Sequence, residues 1–188
     1  MNIIQKDTPN LWSGRKGYRP EAVVIHIMEG TLPGTDSWFA SSSTQVSAHY
    51  GVGKSGEIHQ YVKEGDTAWH AGRIDRPTWK LLKPDINPNL YTIGIEHEGY
   101  ANDLWTEEMK RASAALIRDI CLRWQIPIDR DHVIGHYQIA SYKPNCPAAK
   151  KGVIDELITL AISQQANLTV EEGAKKIEEG LAIIKKFI

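Results

Sequence analysis

A chain of 188 residues with 41% hydrophobic content can bury one sizeable core, or one domain of about 150 residues with a short appendage. Its 22 Lys+Arg against 23 Asp+Glu leave a formal net charge of -1, a balance that gives no electrostatic reason to expect nucleic acid as the main partner. The two cysteines, Cys121 and Cys146, do not make a disulfide scaffold in a chain of this size, which points to a cytosolic origin.

Residues 1–21 are polar and turn-rich, with Pro9, Gly14, Gly17 and Pro20, and read as an extended arm laid over the domain. Lys6, Asp7, Arg15, Lys16 and Arg19 leave no long apolar run there, so the stretch lacks the pattern of a signal peptide. No later segment is long enough to span a bilayer. Synthesis in the cytoplasm without membrane insertion is expected, and action outside the cell would need a separate route of release. Ala22–Met28 is nearly continuously apolar, contains His26 and predicts a strand covered on both faces. Gly30, Pro33 and Gly34 predict a loop, after which Thr35–Ser43, carrying Trp38 and Phe39, reads as a short helix or a mobile rim.

From Val46 to Val62 the alternation predicts a hairpin turning at Lys54-Ser55-Gly56. The proline- and tryptophan-rich stretch from Thr67 to Pro88 is long for a plain connection and suits a functional rim. Trp69 and Trp79 within it could stack on sugar faces or simply pin the loop. Thr92–Gly99 predicts a third strand, with Ile93 and Ile95 on one face and Gly94, Glu96 and Glu98 on the other. Thr106 is a fair helix N-cap ahead of Glu107 and Glu108. Met109, Ala112, Leu116, Ile120 and Trp124 then repeat at helical spacing, with Cys121 at the margin as core filler and Pro127 as the stop. His132–Tyr137 returns to the sheet.

A further helix is predicted from about Val153 to Ser163, then a polar hinge over Gln164–Thr169. The last helix has Val170, Ala174, Ile177, Leu181 and Ile184 in one stripe, which Ile188 continues. Such a stripe needs a partner: the domain itself, a second chain through self-association, or a docking segment.

Two histidines and a cysteine stand out. His26 and His136 each end a short apolar run, and Cys146 follows ten residues after His136 on a loop between Pro144 and Pro147. Two strand-end histidines and a loop thiolate can make a three-ligand zinc site with one coordination position open. This borderline-soft set suits zinc better than magnesium or calcium. The same residues also allow a satisfied buried histidine and an ordinary core cysteine.

The ordered motifs Val24-Ile25-His26, Ser47-Ala48-His49-Tyr50 with Gly56-Glu57-Ile58, Ala68-Trp69-His70-Ala71-Gly72, Ile93-Gly94-Ile95-Glu96, and Gly135-His136 with Cys146-Pro147 carry a resemblance over about residues 20–160. The chain resembles the zinc-dependent N-acetylmuramoyl-L-alanine amidases of the type-2 amidase family, which includes phage endolysins, cell-wall and recycling amidases and relatives of the peptidoglycan-recognition proteins. That resemblance implies an α/β fold: a single mixed central β-sheet flanked by helices, here with a C-terminal helical appendage. A catalytic domain with its N-terminal arm would span residues 1–163, and the hinge and amphipathic helix 164–188. It implies a zinc cofactor on His26, His136 and Cys146, with Glu96 as general base. His49, Trp69 and His70 would contact substrate. The family's lysine position is occupied by Pro144, with Lys143 one step away as its replacement. A tyrosine used by some members ahead of the hairpin histidine is Ala48 here, leaving the base role to Glu96. The implied activity is hydrolysis of the bond between N-acetylmuramic acid and L-alanine in peptidoglycan, as a phage or prophage lysin released through a pore. A cytoplasmic recycling amidase acting on anhydro-muropeptides and a non-catalytic peptidoglycan binder are the alternatives.

Overall fold

In the computed structural model, which describes residues 2–149 and 152–184, the chain runs β1 (Ile3–Gln5), β2 (Leu11–Trp12), β3 (Ala22–Ile27), α1 (Leu32–Ala40), β4 (Tyr50–Val52), β5 (Ile58–Gln60), β6 (Thr67–Ala68), β7 (Thr92–His97), α2 (Glu107–Trp124), β8 (Val133–Gly135) and α3 (Val153–Ile184). Six strands form one sheet in the order β1-β5-β4-β7-β3-β8, and β2 pairs with β6 beside it. All neighbours in the large sheet are parallel except β4 and β5, the expected hairpin. This is the mixed central sheet with flanking helices.

The valine and isoleucine runs become the middle of the sheet because β-branched side chains fit a surface covered on both faces. Every residue of β3 is buried. Val23, Ile25, Ile93, Ile95 and Val133 pack under Leu116, Ile117 and Ile120 of α2 and Leu157 of α3. Each such fully buried side chain contributes roughly 1.5–3 kcal/mol. The opposite face carries His26, Gly94 and Glu96 at the site and, beside them, Ala22, Val24 and Ile134 in a second apolar cluster with Trp79, Leu90 and Tyr91.

Helix α2 starts where expected: Thr106 Oγ1 accepts the Met109 N–H at 3.2 Å, with Glu107 and Glu108 in the first turn. It ends at Gln125 in the left-handed conformation (φ 56), before Pro127 is reached. Cys121 is 2% exposed in the core, and burial pushes its thiol up to about 12.

Three local expectations change. Helix α1 already begins at Leu32, because Pro33 lies in the first turn, where its missing N–H is harmless, and Thr31 Oγ1 caps the Gly34 N–H. The N-terminal arm is not only laid over the domain: it supplies β1 to the large sheet and β2 to the small one. The hinge expected at Gln164–Thr169 is helical, within the single helix α3. Polar residues there carry no proline or glycine, and propensity alone does not break a helix. Ile154, Leu157 and Ala161 are buried, whereas Leu168, Val170 and Ile177 are 41%, 71% and 66% exposed. The stripe therefore stands clear of the domain as far as Ile177; the Leu181 and Ile184 side chains and Ile188 lie outside the described residues. No helix among the described residues is long and apolar enough to cross a membrane.

Candidate metal centre and cleft

Strand register assembles the site. His26 on β3 pairs with Glu96 on β7, and Ile25 pairs with Gly135 on β8, so His136, one residue past β8, arrives beside His26. The residues meet at the C-terminal ends of parallel strands, where open α/β sheets place ligands. The loop after β8 returns Cys146 to the same point. One donor atom from each of His26, His136 and Cys146 lies within 4.8 Å of the others, and all three residues are buried.

Hydrogen bonding sets where the ring protons sit. His136 Nε2 lies 3.0 Å from the Ala71 carbonyl oxygen, so it bears the proton and donates. Thr92 Oγ1 donates to the Pro88 carbonyl at 2.7 Å and accepts from His70 Nε2 at 3.2 Å. That leaves His70 Nδ1 as acceptor for the Nε2 proton of His26 at 3.1 Å. The Nδ1 atoms of both His26 and His136 are then bare lone pairs, 3.1 Å apart, with Cys146 Sγ 3.9 Å from His26 Nδ1. Two converging lone pairs and a sulfur are what a tetrahedral N/S cation site requires, and outward-facing ring protons fixed by protein acceptors are its usual support.

Electrostatics agree. Burial holds His26 well below the ordinary histidine range and brings His136 to about 4 and His70 to about 3, so the imidazoles are neutral. Burial, then Glu96, pushes the Cys146 thiol up to about 12; a bound cation would reverse that direction by favouring the thiolate. Glu96 lines the cleft, and its Oε2 is buried without a hydrogen-bond partner among the described residues. Burial raises its carboxyl to about 8, against the opposing charge of Lys143. Glu98 instead accepts the Lys54 backbone N–H at 2.7 Å and does not line the cleft. Lys143 does line it, as does Pro144.

The cleft, about 1130 Å³, is lined by Trp12, Trp38 and Trp69 and by Tyr142 and Lys143. Of the expected substrate contacts, Trp69 lies in it. His70 borders it but is 8% exposed, with both ring nitrogens bonded internally, so it positions His26. His49 differs from expectation: it is 0% exposed, its Nδ1 accepts the Gly94 N–H at 3.1 Å and its Nε2 faces Arg15 and the Asp66 carbonyl. It locks strands together and does not line the cleft. Trp79 is the pin of its loop, stacked on Tyr91 and donating to the Asp131 carbonyl.

Three supports escaped the sequence reading. Arg15, 5% exposed, donates to the carbonyls of Glu64, Asn89, Leu90 and Thr92. Asn89 Oδ1 accepts the backbone N–H groups of His70 and Ala71, holding the loop that fixes both ligand histidines. Asn10, 1% exposed, ties the arm to the end of α1. A Cβ at Gly94 would meet the His70 ring at 2.4 Å, so the ring needs a glycine beneath it.

The family profile described as N-acetylmuramoyl-L-alanine amidase matches residues 16–149. N-acetylmuramoyl-L-alanine amidase A of Achromobacter lyticus is 47% identical over 105 residues, 54% of this chain and 51% of that protein. The 1,6-anhydro-N-acetylmuramyl-L-alanine amidase AmpD of Salmonella typhimurium (strain SL1344) is 31% identical over 123 residues, 64% of this chain and 62% of its own. The match thus spans about half to three fifths of these relatives' lengths. A crystal structure of an AmpD derivative superposes with a TM-score of 0.70 at 24% identity, covering 84% of this chain and 93% of the other, and shares the fold.

Proposed function

The chain belongs to the N-acetylmuramoyl-L-alanine amidase family, and from that premise we propose that it is a zinc-dependent hydrolase of the amide bond between N-acetylmuramic acid and L-alanine in peptidoglycan. One observation carries the reading: two bare imidazole nitrogens and a thiol converge beside a buried carboxyl oxygen that has no partner among the described residues.

His26, His136 and Cys146 would hold the ion, leaving a position open to substrate or solvent. When bound, zinc supplies Lewis acidity that polarises a carbonyl and acidifies water. Glu96, whose buried Oε2 has no hydrogen-bond partner among the described residues, takes the proton of the attacking water. It then passes that proton to the departing amide nitrogen, a role typically worth roughly 10²- to 10⁴-fold. Lys143, whose charge reaches Glu96, His136 and Cys146, is placed to stabilise the oxyanion in place of the family lysine at the Pro144 position. His70 and Ala71 O keep the ligand rings turned inward.

We place the activity on the cell wall, as a lysin of phage or prophage type acting there after release. The wide cleft with exposed tryptophans supports a polymeric substrate. A second reading, recycling of soluble anhydro-muropeptides, is favoured by the AmpD relatives. Retention of all three donors and Glu96 speaks against a non-catalytic binder. The test is product analysis after incubation with purified cell walls and, separately, with soluble anhydro-muropeptides. Free stem peptides beginning with L-alanine are expected from walls at the higher rate. Turnover confined to the soluble substrate would transfer the protein to recycling, and no peptide from either would refute the amidase reading.

A further inference from the structure

We propose that Trp12, Trp38 and Trp69 form a glycan-stacking wall that selects stem peptides still attached to a glycan chain over muropeptides bearing a single sugar. The inference rests on the amidase reading for its substrate, but the wall consists of groups that take no part in the chemistry.

Large aromatic side chains left in solvent are unusual when they cluster in one concavity. Trp12 is 38% exposed and Trp38 60% exposed, and both line the same cleft as Trp69. Trp12 and Trp69 meet at 5.6 Å between ring centroids, tilted by 55°. Their segments are far apart in sequence, so something must hold them as one surface, and a polar net beneath does so. Asn10 Nδ2 donates to the Phe39, Ser41 and Val46 carbonyls, and Thr8 Oγ1 donates to Phe39 O at 2.6 Å. Ser47 Oγ donates to the Asn10 carbonyl at 2.5 Å and accepts the Trp69 N–H at 2.9 Å. Thr44 Oγ1 reaches the Trp38 carbonyl at 3.0 Å. A polar network of this kind fixes side chains in advance of binding, which lowers the ordering cost of recognition, and it leaves the buried Trp69 Nε1 without a hydrogen-bond partner among the described residues.

The occupant follows from chemistry. Flat, uncharged ring faces match the C–H faces of pyranose sugars, and sugar stacking also needs planar polar groups at the edge. Gln45 lines the same cleft and offers a planar amide; its left-handed conformation (φ 53) closes the short 3-10 helix Ser42–Thr44. A peptide carboxylate is better matched by Lys143, which lines the same cleft. One cleft of about 1130 Å³ holds the three tryptophans together with His26, His136 and Cys146, so a glycan on the wall and a peptide at the metal centre share one space. Trp12 lies outside residues 16–149, which the family profile matches.

Binding and turnover separate the proposal from its premise. The binding probe is a peptide-free tetrasaccharide of alternating N-acetylglucosamine and N-acetylmuramic acid, followed by tryptophan fluorescence. The parent should bind it saturably. Trp12→Ala and Trp38→Ala should each weaken it by about tenfold, the scale of one aromatic contact, with Trp12→Phe recovering part of the loss. In the turnover arm, Trp38→Ala should lower kcat/KM at least about tenfold more on a glycan-linked stem peptide than on a single-sugar muramoyl peptide. No binding by the parent, unchanged affinity in both alanine variants, or equal losses on both substrates would overturn the wall. A parent that binds the tetrasaccharide with the expected variant losses but releases no peptide would uphold the wall and refute the amidase reading. Because Trp38 is largely in solvent, its result decides the matter if Trp12→Ala does not fold.

Discussion

The Nδ1 atoms of His26 and His136 face each other across 3.1 Å, and each ring carries its proton on the far side. Two lone pairs at that distance repel, and a cation shared with Cys146 removes the repulsion. His70 is what keeps the His26 proton outward, through a chain that ends on the Pro88 carbonyl. Removing it by His70→Ala should weaken zinc binding roughly 10- to 100-fold, read by chelator competition. Gly94→Ala should act in the same direction by displacing the ring. Undiminished affinity in both would mean that the ligand ring needs no such support.

Arg15 joins the N-terminal arm to four backbone carbonyls that no other described side chain bonds. Its charge is buried, and burial lowers its pKa to about 10, still charged at neutral pH. Arg15→Met keeps much of the volume and leaves those acceptors unpaired, so a loss of about 3 kcal/mol or more is expected in urea unfolding. Arg15→Lys should rescue little, because an ammonium lacks the planar fork that reaches several carbonyls. A loss under about 1 kcal/mol for Arg15→Met would show that water takes over these bonds.

Glu64 gives the fold an acid-sensitive joint. Burial alone would raise its carboxyl, but hydrogen bonds from Arg123, Tyr50 and Trp124 outweigh that and hold it below its ordinary value of 4.5. A pKa lowered by folding stabilises above the unfolded value, and that contribution disappears as pH falls through the folded one. The stability gap between the parent and Glu64→Gln should therefore be full near pH 7 and shrink on acidification below 4.5. Denaturant unfolding across that range measures it, and a gap that widens in acid would contradict the assignment.

Much of the centre was legible because its chemistry is local in sequence: His26 and His136 end apolar runs, and Cys146 sits between prolines. The central strands were legible because valine and isoleucine runs have few other uses. Arg15, Asn10 and Asn89 left no pattern, since they bond backbone groups, and a backbone carbonyl has no letter of its own. His49 was read toward the cleft because its motif is shared with site residues, yet Ser47 and His49 turn inward to tie strands. Glu96 and Glu98 share a face by alternation, and the structure separates them: Glu96 lines the cleft, whereas Glu98 takes the Lys54 N–H. In α3, polar composition suggested a hinge where the backbone had no reason to bend.

The central claim is that Glu96 beside a His26–His136–Cys146 zinc site hydrolyses the muramoyl–alanine amide. The most direct measurement is the rate at which new N-terminal alanine appears in purified peptidoglycan, with zinc content determined for the parent, Glu96→Gln and Glu98→Gln. The account predicts about one zinc per chain in all three, near-parent turnover for Glu98→Gln, and a loss of roughly 10²-fold or more for Glu96→Gln. Near-parent turnover by a fully metallated Glu96→Gln protein would contradict it.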